Sequence, residues 1–162
     1  MPEGAVVKEE VLSEYELERG KPMPNFIHAH IELNIGTALR ERYRKTHSVV
    51  VEVTVQFDRP LTPDVAVFAK RPIDFSDASP KETQIPMLAI EIASPSQPLQ
   101  TLIDKATEML RFGVKAVWIV QPTLQTVSVF TSAATPKTFT DGVVSDGVSG
   151  IELSIDQIFS AE

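Results

Sequence analysis

The chain of 162 residues contains no cysteine, which excludes disulfide bonds, thiolate metal sites and cysteine nucleophiles. Any metal ligands must come from histidine, aspartate and glutamate, a set that favours a hard, oxygen-bound cation. The sequence also lacks a run of about 20 apolar residues, the length that spans a bilayer. Its first ten residues, MPEGAVVKEE, are too polar for the core of a signal peptide. We therefore expect a cytoplasmic protein without a membrane partner.

Positive charge is scarce, since 15 lysines and arginines oppose 22 aspartates and glutamates and the formal net charge is -7. Neutralising phosphates needs clustered basic side chains, so this balance opposes indiscriminate nucleic-acid binding. Basic groups do concentrate in RERYRK at residues 40–45. This stretch is either a solvated helix end or a surface whose Arg40, Arg42, Arg44 and Lys45 contact a DNA backbone.

The composition, 43% hydrophobic and 23% charged, is that of a globular protein, and the length fits a single domain over residues 1–162. Hydrophobic periodicity and turn signals predict helices at residues 13–20, 26–44, 98–112 and 155–159. The same signals predict strands at residues 47–58, 62–70, 87–93, 116–120 and 126–130. Residues 71–85 are predicted to be a loop, and residues 131–150 a loop with one strand or none. This order is typical of a mixed α/β arrangement in which helices flank a largely β sheet.

The predicted strand MLAIEIA at residues 87–93 is apolar on both faces, which is typical of a strand in the middle of a sheet. Glu91 interrupts it, and a buried carboxylate costs several kcal/mol unless it is paired, protonated or bound to a metal. Asp64 follows the rigid Pro63 at the start of another strand, so pairing of the two strands would bring both carboxylates to one sheet edge. Lys105 borders the apolar stripe of the following helix, about 60° from Leu102.

Two carboxylates and a lysine at a sheet edge can form a hydrolytic site. The carboxylates would hold Mg²⁺ or Mn²⁺, and the ammonium group would orient water or stabilise charge on a phosphate. Ordinary interpretations stay open: a solvated strand end for Glu91, a turn for Asp64, and a surface lysine for Lys105. A buried ion pair between Glu91 and Lys105, with no metal, is another alternative.

The segments LTPDVAVF (61–68), LAIEIASPS (88–96), FGVKAVWIVQP (112–122) and GIELSIDQIF (150–159), together with Lys105, resemble the Uma-two family, a branch of the PD-(D/E)XK nuclease superfamily. The resemblance implies an α/β fold of the α+β type, with a restriction-endonuclease-like core whose mixed β-sheet is flanked by helices. It also implies a DNA endonuclease that depends on Mg²⁺ or Mn²⁺. Since an endonuclease cuts both strands most simply as a two-fold pair, we expect a homodimer.

The resemblance also implies roles for individual residues. Asp64 and Glu91 would be the catalytic acids and metal ligands, and the carbonyl of Ile92 a further ligand. The usual superfamily pattern places a lysine where this chain has Ala93. Lys105 matches the lysine that this family carries on the following helix.

Three residues are accessory candidates: His28, Glu52 and Gln56. His28 matches a histidine found at the start of the family's first large helix, although a helix-start residue with ordinary hydrogen bonds is the alternative. Glu52 and Gln56 lie in a predicted strand, where outward-facing side chains are the simpler interpretation. The chain departs from the family at Gln121, where aspartate is frequent. A catalytically silent nuclease-fold module that acts in protein assembly is the alternative function, which the net charge of -7 favours.

Overall fold

The computed structural model describes residues 23–132 and 135–162, so the helix predicted at residues 13–20 lies outside the described residues. The helices are α1 (Phe26–Tyr43), α2 (Leu99–Arg111) and α3 (Ile155–Ile158). The strands are β1 (His47–Val51), β2 (Val55–Gln56), β3 (Pro60–Leu61), β4 (Val65–Ala69), β5 (Leu88–Ile92), β6 (Ala116–Gln121), β7 (Thr126–Phe130), β8 (Lys137–Phe139), β9 (Val143–Ser145) and β10 (Glu152–Ser154). Within these described ranges, no helix combines the length and apolar character that crossing a membrane requires.

Six strands form the main sheet, in the order β1-β4-β5-β6-β7-β8. β5 and β6 run parallel, whereas the other neighbouring pairs are antiparallel, so the sheet is mixed. All five residues of β5 are buried, because this strand has a neighbour on each side and a helix over each face. The prediction of a central strand at residues 87–93 is confirmed.

The two long helices cover opposite faces of this sheet. On α1, Ile31, Ile35 and Leu39 recur every four residues and pack with one set of strand side chains. On α2, Leu102 and Ala106 pack with the set that points the other way. The result is a helix–sheet–helix sandwich, in which α2 connects the parallel strands β5 and β6.

The first two residues of α1 are apolar but do not join its buried face. Phe26 is 83% exposed and Ile27 is also exposed, whereas His28 is buried. The helix begins after Asn25, the N-cap, whose side chain accepts a hydrogen bond from the His28 backbone N–H. A polar side chain therefore enters the interior in the first turn of α1.

The single strand predicted at residues 47–58 is wrong, because the chain breaks at Glu52. This residue has a φ of 59°, a left-handed conformation that cannot continue an extended strand. The backbone N–H of Glu52 donates to the carbonyl of Asp64 at 3.1 Å. The break ends β1, sends β2 and β3 into a separate two-stranded sheet, and places Glu52 beside Asp64.

The prediction of at most one strand within residues 131–150 is also wrong. β8 extends the main sheet beside β7, and β9 pairs with β10 in a separate hairpin. Each of these strands has only three residues, and Gly142 and Gly147 with positive φ flank β9, so no periodicity could develop. The final predicted helix is present, and Ser154 and Gln157 cap its start reciprocally.

Candidate functional site at the edge of the central strands

The candidate site lies where β4 begins and β5 and β6 end. Val65 in β4 faces Ile90 in β5, and the parallel neighbour β6 ends at the same edge. Asp64, directly before β4, therefore comes close to the last residues of β5. The carboxyl ends of adjacent parallel strands are a common location for ligand sites in α/β folds.

Asp64 is held in the interior by two donors. Its side chain is 1% exposed, and its Oδ2 accepts a hydrogen bond of 2.7 Å from the backbone N–H of Ile92. The same oxygen lies 3.2 Å from Nε2 of His28, a residue in the first turn of α1, which covers one face of the sheet. The Asp64 carboxylate is thus joined both to the central strand and to the first helix.

Glu91 forms an ion pair with Lys105. Nζ of Lys105 lies 2.9 Å from Oε1 of Glu91, and the two side chains are 9% and 2% exposed, respectively. The ammonium group also lies 3.4 Å from the carbonyl oxygen of Thr62, two residues before Asp64. Lys105 therefore leans over the sheet and meets Glu91 across the turn between β5 and α2.

The backbone carbonyl of Ile92 lacks a ladder partner on the β4 side. Continuing the register of Val65 opposite Ile90 by two residues places Pro63 opposite Ile92. Proline has no N–H, so this position cannot supply the hydrogen bond that an ordinary antiparallel neighbour would give. In a strand the carbonyl and N–H of one residue point to the same side. The Ile92 N–H donates to Asp64, so the Ile92 carbonyl faces the same side as Asp64.

Sequence reasoning missed one acidic residue near the site, Glu32. A ligand atom of Glu32 lies within 4.8 Å of ligand atoms of both His28 and Asp64. Glu32 stands four residues after His28, and residues at this spacing share one helix face. That spacing was the available signal, but it required knowing that His28 points inward.

The other two accessory candidates differ in position. Glu52 is brought beside Asp64 through the backbone hydrogen bond, and its Oε2 is buried. Gln56 instead belongs to the small β2–β3 sheet, where its side chain donates to the carbonyl of Phe57 and its backbone N–H to that of Glu82. The structure thus gathers Glu52 near the proposed acids but shows no link from Gln56 to them.

The basic stretch does not join the candidate site. Arg40, Arg42, Arg44 and Lys45 are exposed at the end of α1 opposite to His28, about 18–24 Å away along the helix axis at 1.5 Å per residue. Two of them have contacts of their own there. Arg42 lies 3.6 Å from a carboxylate oxygen of Glu152, and the backbone carbonyl of Arg44 accepts a hydrogen bond from a lysine ammonium group.

The donor set at the sheet edge fits a hard divalent cation. It contains the buried carboxylate of Asp64 with the half-buried carboxylate of Glu32 close to it, the buried carboxylate of Glu91 on the neighbouring strand, and a backbone carbonyl. Oxygen atoms are the ligands that Mg²⁺ and Mn²⁺ prefer. Carboxylates as close as those of Glu32 and Asp64 repel each other when both are ionised, and a shared cation or proton relieves that repulsion. Lys105 offers a single positive charge to this group.

The mixed sheet lies between helices and carries buried acids and a lysine near one edge. A family model described as "Putative restriction endonuclease" matches residues 7–156, and the chain belongs to this family, Uma2. The crystal structure of a "putative nuclease belonging to DUF820" from Anabaena variabilis is similar, with a TM-score of 0.75 and 25% identity over 86% of this chain and 83% of that chain. No curated protein matches. The family and the fold together support a nuclease.

Proposed function

We propose that this protein is a metal-dependent endonuclease that hydrolyses phosphodiester bonds in DNA. The proposal is supported most strongly by the near-complete burial of Asp64, Glu91 and Lys105 close to one edge of the sheet. Lys105 pairs with Glu91, and Asp64 accepts a hydrogen bond from the backbone N–H of Ile92, the residue after Glu91. Buried charges are costly, and a fold that needed only stability could fill these positions with apolar side chains. Strongly desolvated charged groups in such a position are typical of functional sites.

The carboxylates of Asp64 and Glu91 and the carbonyl of Ile92 would hold the cation, which we propose to be Mg²⁺ or Mn²⁺. When bound, such an ion polarises the phosphate and lowers the pKa of a coordinated water molecule. Glu32 and His28, which adjoin Asp64 on the α1 side, would complete the ligand set or orient the Asp64 carboxylate.

The chain's own groups divide the remaining work. The backbone N–H of Ile92 and Nε2 of His28 fix the position of the Asp64 carboxylate. The ammonium group of Lys105, which the Thr62 carbonyl and Glu91 hold at the sheet edge, would donate a hydrogen bond to the attacking water or to a phosphate oxygen. A positive charge at that position stabilises the negative charge that develops on the phosphate during hydrolysis.

DNA would lie along α1 from the site toward the basic stretch. The separation of about 18–24 Å corresponds to roughly five to seven base pairs of B-DNA at 3.4 Å each. Arg40, Arg42, Arg44 and Lys45 would then contact the backbone and fix the register, without reading the bases. A homodimer would present two such sites, one for each strand; this oligomeric state and the cytoplasmic location remain predictions.

The test is the conversion of supercoiled plasmid to nicked and linear forms, measured with Mg²⁺, with Mn²⁺ and with EDTA. Wild-type protein should cut only with a divalent cation. Glu91→Gln and Lys105→Ala should lower the rate at least about a hundredfold, the scale on which preorganised electrostatic groups act. The matched controls are Glu162→Gln and Lys115→Ala, which change exposed residues of the same types outside the site and the basic stretch and should cut normally.

The alternative functions predict other results. A silent assembly module, or a Glu91–Lys105 pair that is purely structural, would give wild-type protein that cuts neither DNA nor RNA with either cation. That outcome would refute the nuclease proposal. Cleavage of RNA alone would refute DNA as the substrate while keeping the hydrolytic site.

A further inference from the structure

A cavity of about 490 Å³ opens beside the candidate site, and the proposed reaction does not use it. Its walls come from three places: the start of α1, the turn that follows β5, and the turn between β6 and β7. Its size is that of pockets that enclose small organic ligands. The cavity lies at the carboxyl ends of the two parallel strands, beyond the residues that end β5.

The cavity adjoins the proposed catalytic groups through the chain itself. Ala93 and Ser94, which line it, directly follow Glu91 and Ile92. Asn25, on another wall, accepts the hydrogen bond from the backbone N–H of His28. A group bound in the cavity would therefore lie next to a phosphate held at the sheet edge.

The lining is mainly apolar, contains several polar side chains and carries no charge among the described residues. Apolar surface comes from residues that include Ile27 and Leu99, both of which are exposed to solvent, and side-chain amides come from Asn25, Gln97, Gln121 and Gln125. None of the described lining residues is a lysine or an arginine that could neutralise a phosphate. Such a lining suits a flat, uncharged ligand with hydrogen-bonding edges.

One further polar group in the lining lacks a partner. The Oγ of Ser94 is buried and makes no hydrogen bond to the described residues. Buried polar atoms are nearly always satisfied, so an orphaned hydroxyl next to a cavity marks a position where a ligand or water can bond. Ser94 thereby adds a donor and an acceptor to the amides.

We propose that this cavity binds a nucleobase of the substrate, splayed out of the helix, beside the phosphate that is cut. The proposal rests on the proposed nuclease function and names the part of the substrate that the site would recognise. The apolar walls would contact the faces of the base, while Gln97, Gln121 and Asn25 would bond to its edge. Amide side chains can pair with a base edge through two hydrogen bonds, so these residues would determine which base stands next to the cut.

Binding is tested without cleavage by titrating ¹⁵N-labelled full-length protein with each of the four deoxynucleosides in EDTA. At least one nucleoside should shift the side-chain amide resonances of Gln97 and Gln121. Gln121→Ala and, independently, Gln97→Ala should weaken that binding about five- to tenfold or more, within the range of one amide–base pair. Gln100→Ala is the matched control, because Gln100 is exposed in the first turn of α2 and lies outside the lining.

The proposal is overturned if no nucleoside shifts these resonances, if inorganic phosphate alone shifts them, or if Gln100→Ala weakens binding as much as Gln121→Ala. Sequencing of the plasmid nicks reports cleavage independently of nucleoside binding. The two readouts together separate this proposal from the nuclease proposal. Nucleoside binding without any cleavage would refute the nuclease and keep the base pocket. Cleavage with no nucleoside binding would keep the nuclease and refute the base pocket.

Discussion

Removing the charge of Lys105 should destabilise the protein strongly when no metal is present. We choose Lys105→Met, which keeps the length and apolar character of the side chain but leaves the Glu91 carboxylate without its ammonium partner. The two groups are 2.9 Å apart and almost wholly buried, so water cannot replace the lost charge. The variant is informative about the proposed metal role, because a divalent cation can supply the positive charge that the variant has lost.

The magnitude follows from the burial of the pair. Breaking a buried ion pair by removing one partner costs about 3–5 kcal/mol of unfolding free energy, since an uncompensated charge is left inside. With a urea dependence of about 2–3 kcal/mol per molar, the unfolding midpoint should fall by roughly 1–2 M. The double variant Glu91→Gln/Lys105→Met removes both charges and should recover most of this loss.

The assay is urea unfolding at pH 7, in EDTA and in excess Mg²⁺. Mg²⁺ should stabilise Lys105→Met more than it stabilises the wild type, because the cation can take over the charge of the missing ammonium group. Lys115→Met, at an exposed position, is the control and should change stability by less than about 0.5 kcal/mol. A loss below about 1 kcal/mol for Lys105→Met would refute the buried pair.

Three further predictions concern the scaffold. Gly113→Ala should lower the free energy of unfolding by about 1–2 kcal/mol, because Gly113 has a φ of +105°. Gly36→Ala should raise it by about 0.5–1 kcal/mol, because Gly36 lies inside α1 and the nearest neighbouring atom is 3.7 Å from the new Cβ. Urea unfolding measures both changes. The hydrogen bond from Arg71 holds the pKa of Glu82 below its ordinary value of 4.5. The stability that this bond contributes is present above pH 4.5 and should be lost as the pH falls through the lowered pKa. Glu82→Gln should make the free energy of unfolding depend less on pH in this acid range. Asp146→Ala should cost about 1–3 kcal/mol in thermal unfolding, because it removes the acceptor for the buried Nε1 of Trp118.

The central part of the fold was predictable because its signals are local and strong. A short run apolar on both faces indicates an interior strand, and the amphipathic segment after it indicates a covering helix, so β5, α2 and β6 followed from residues 87–120. Glu91 stood out for the same reason, since a charge in such a strand requires a partner. The angular position of Lys105 on α2 then made it the nearest basic group.

The missed features depend on backbone angles and on contacts between distant segments. A left-handed residue at Glu52 leaves no mark in a run of β-branched residues, so one long strand was predicted where the chain turns. Glu32 belongs to the site because the packing of α1 on the sheet places the inward-facing His28, four residues earlier, next to Asp64. The three-residue strands β8, β9 and β10 are too short to show any periodicity, and they are defined by their pairing with other strands.

Binding of a divalent cation by the carboxylates at the sheet edge is the most direct measurement of the proposed site. Calorimetric titration of Mn²⁺ into the wild-type protein should give saturable binding, and Asp64→Asn should weaken it at least about tenfold. Asparagine keeps an acceptor for the Ile92 N–H, so the fold should survive, and Asp104→Asn on the exposed face of α2 should bind as the wild type does. Saturable binding that Asp64→Asn leaves unchanged, or no binding at all, would contradict the metal site.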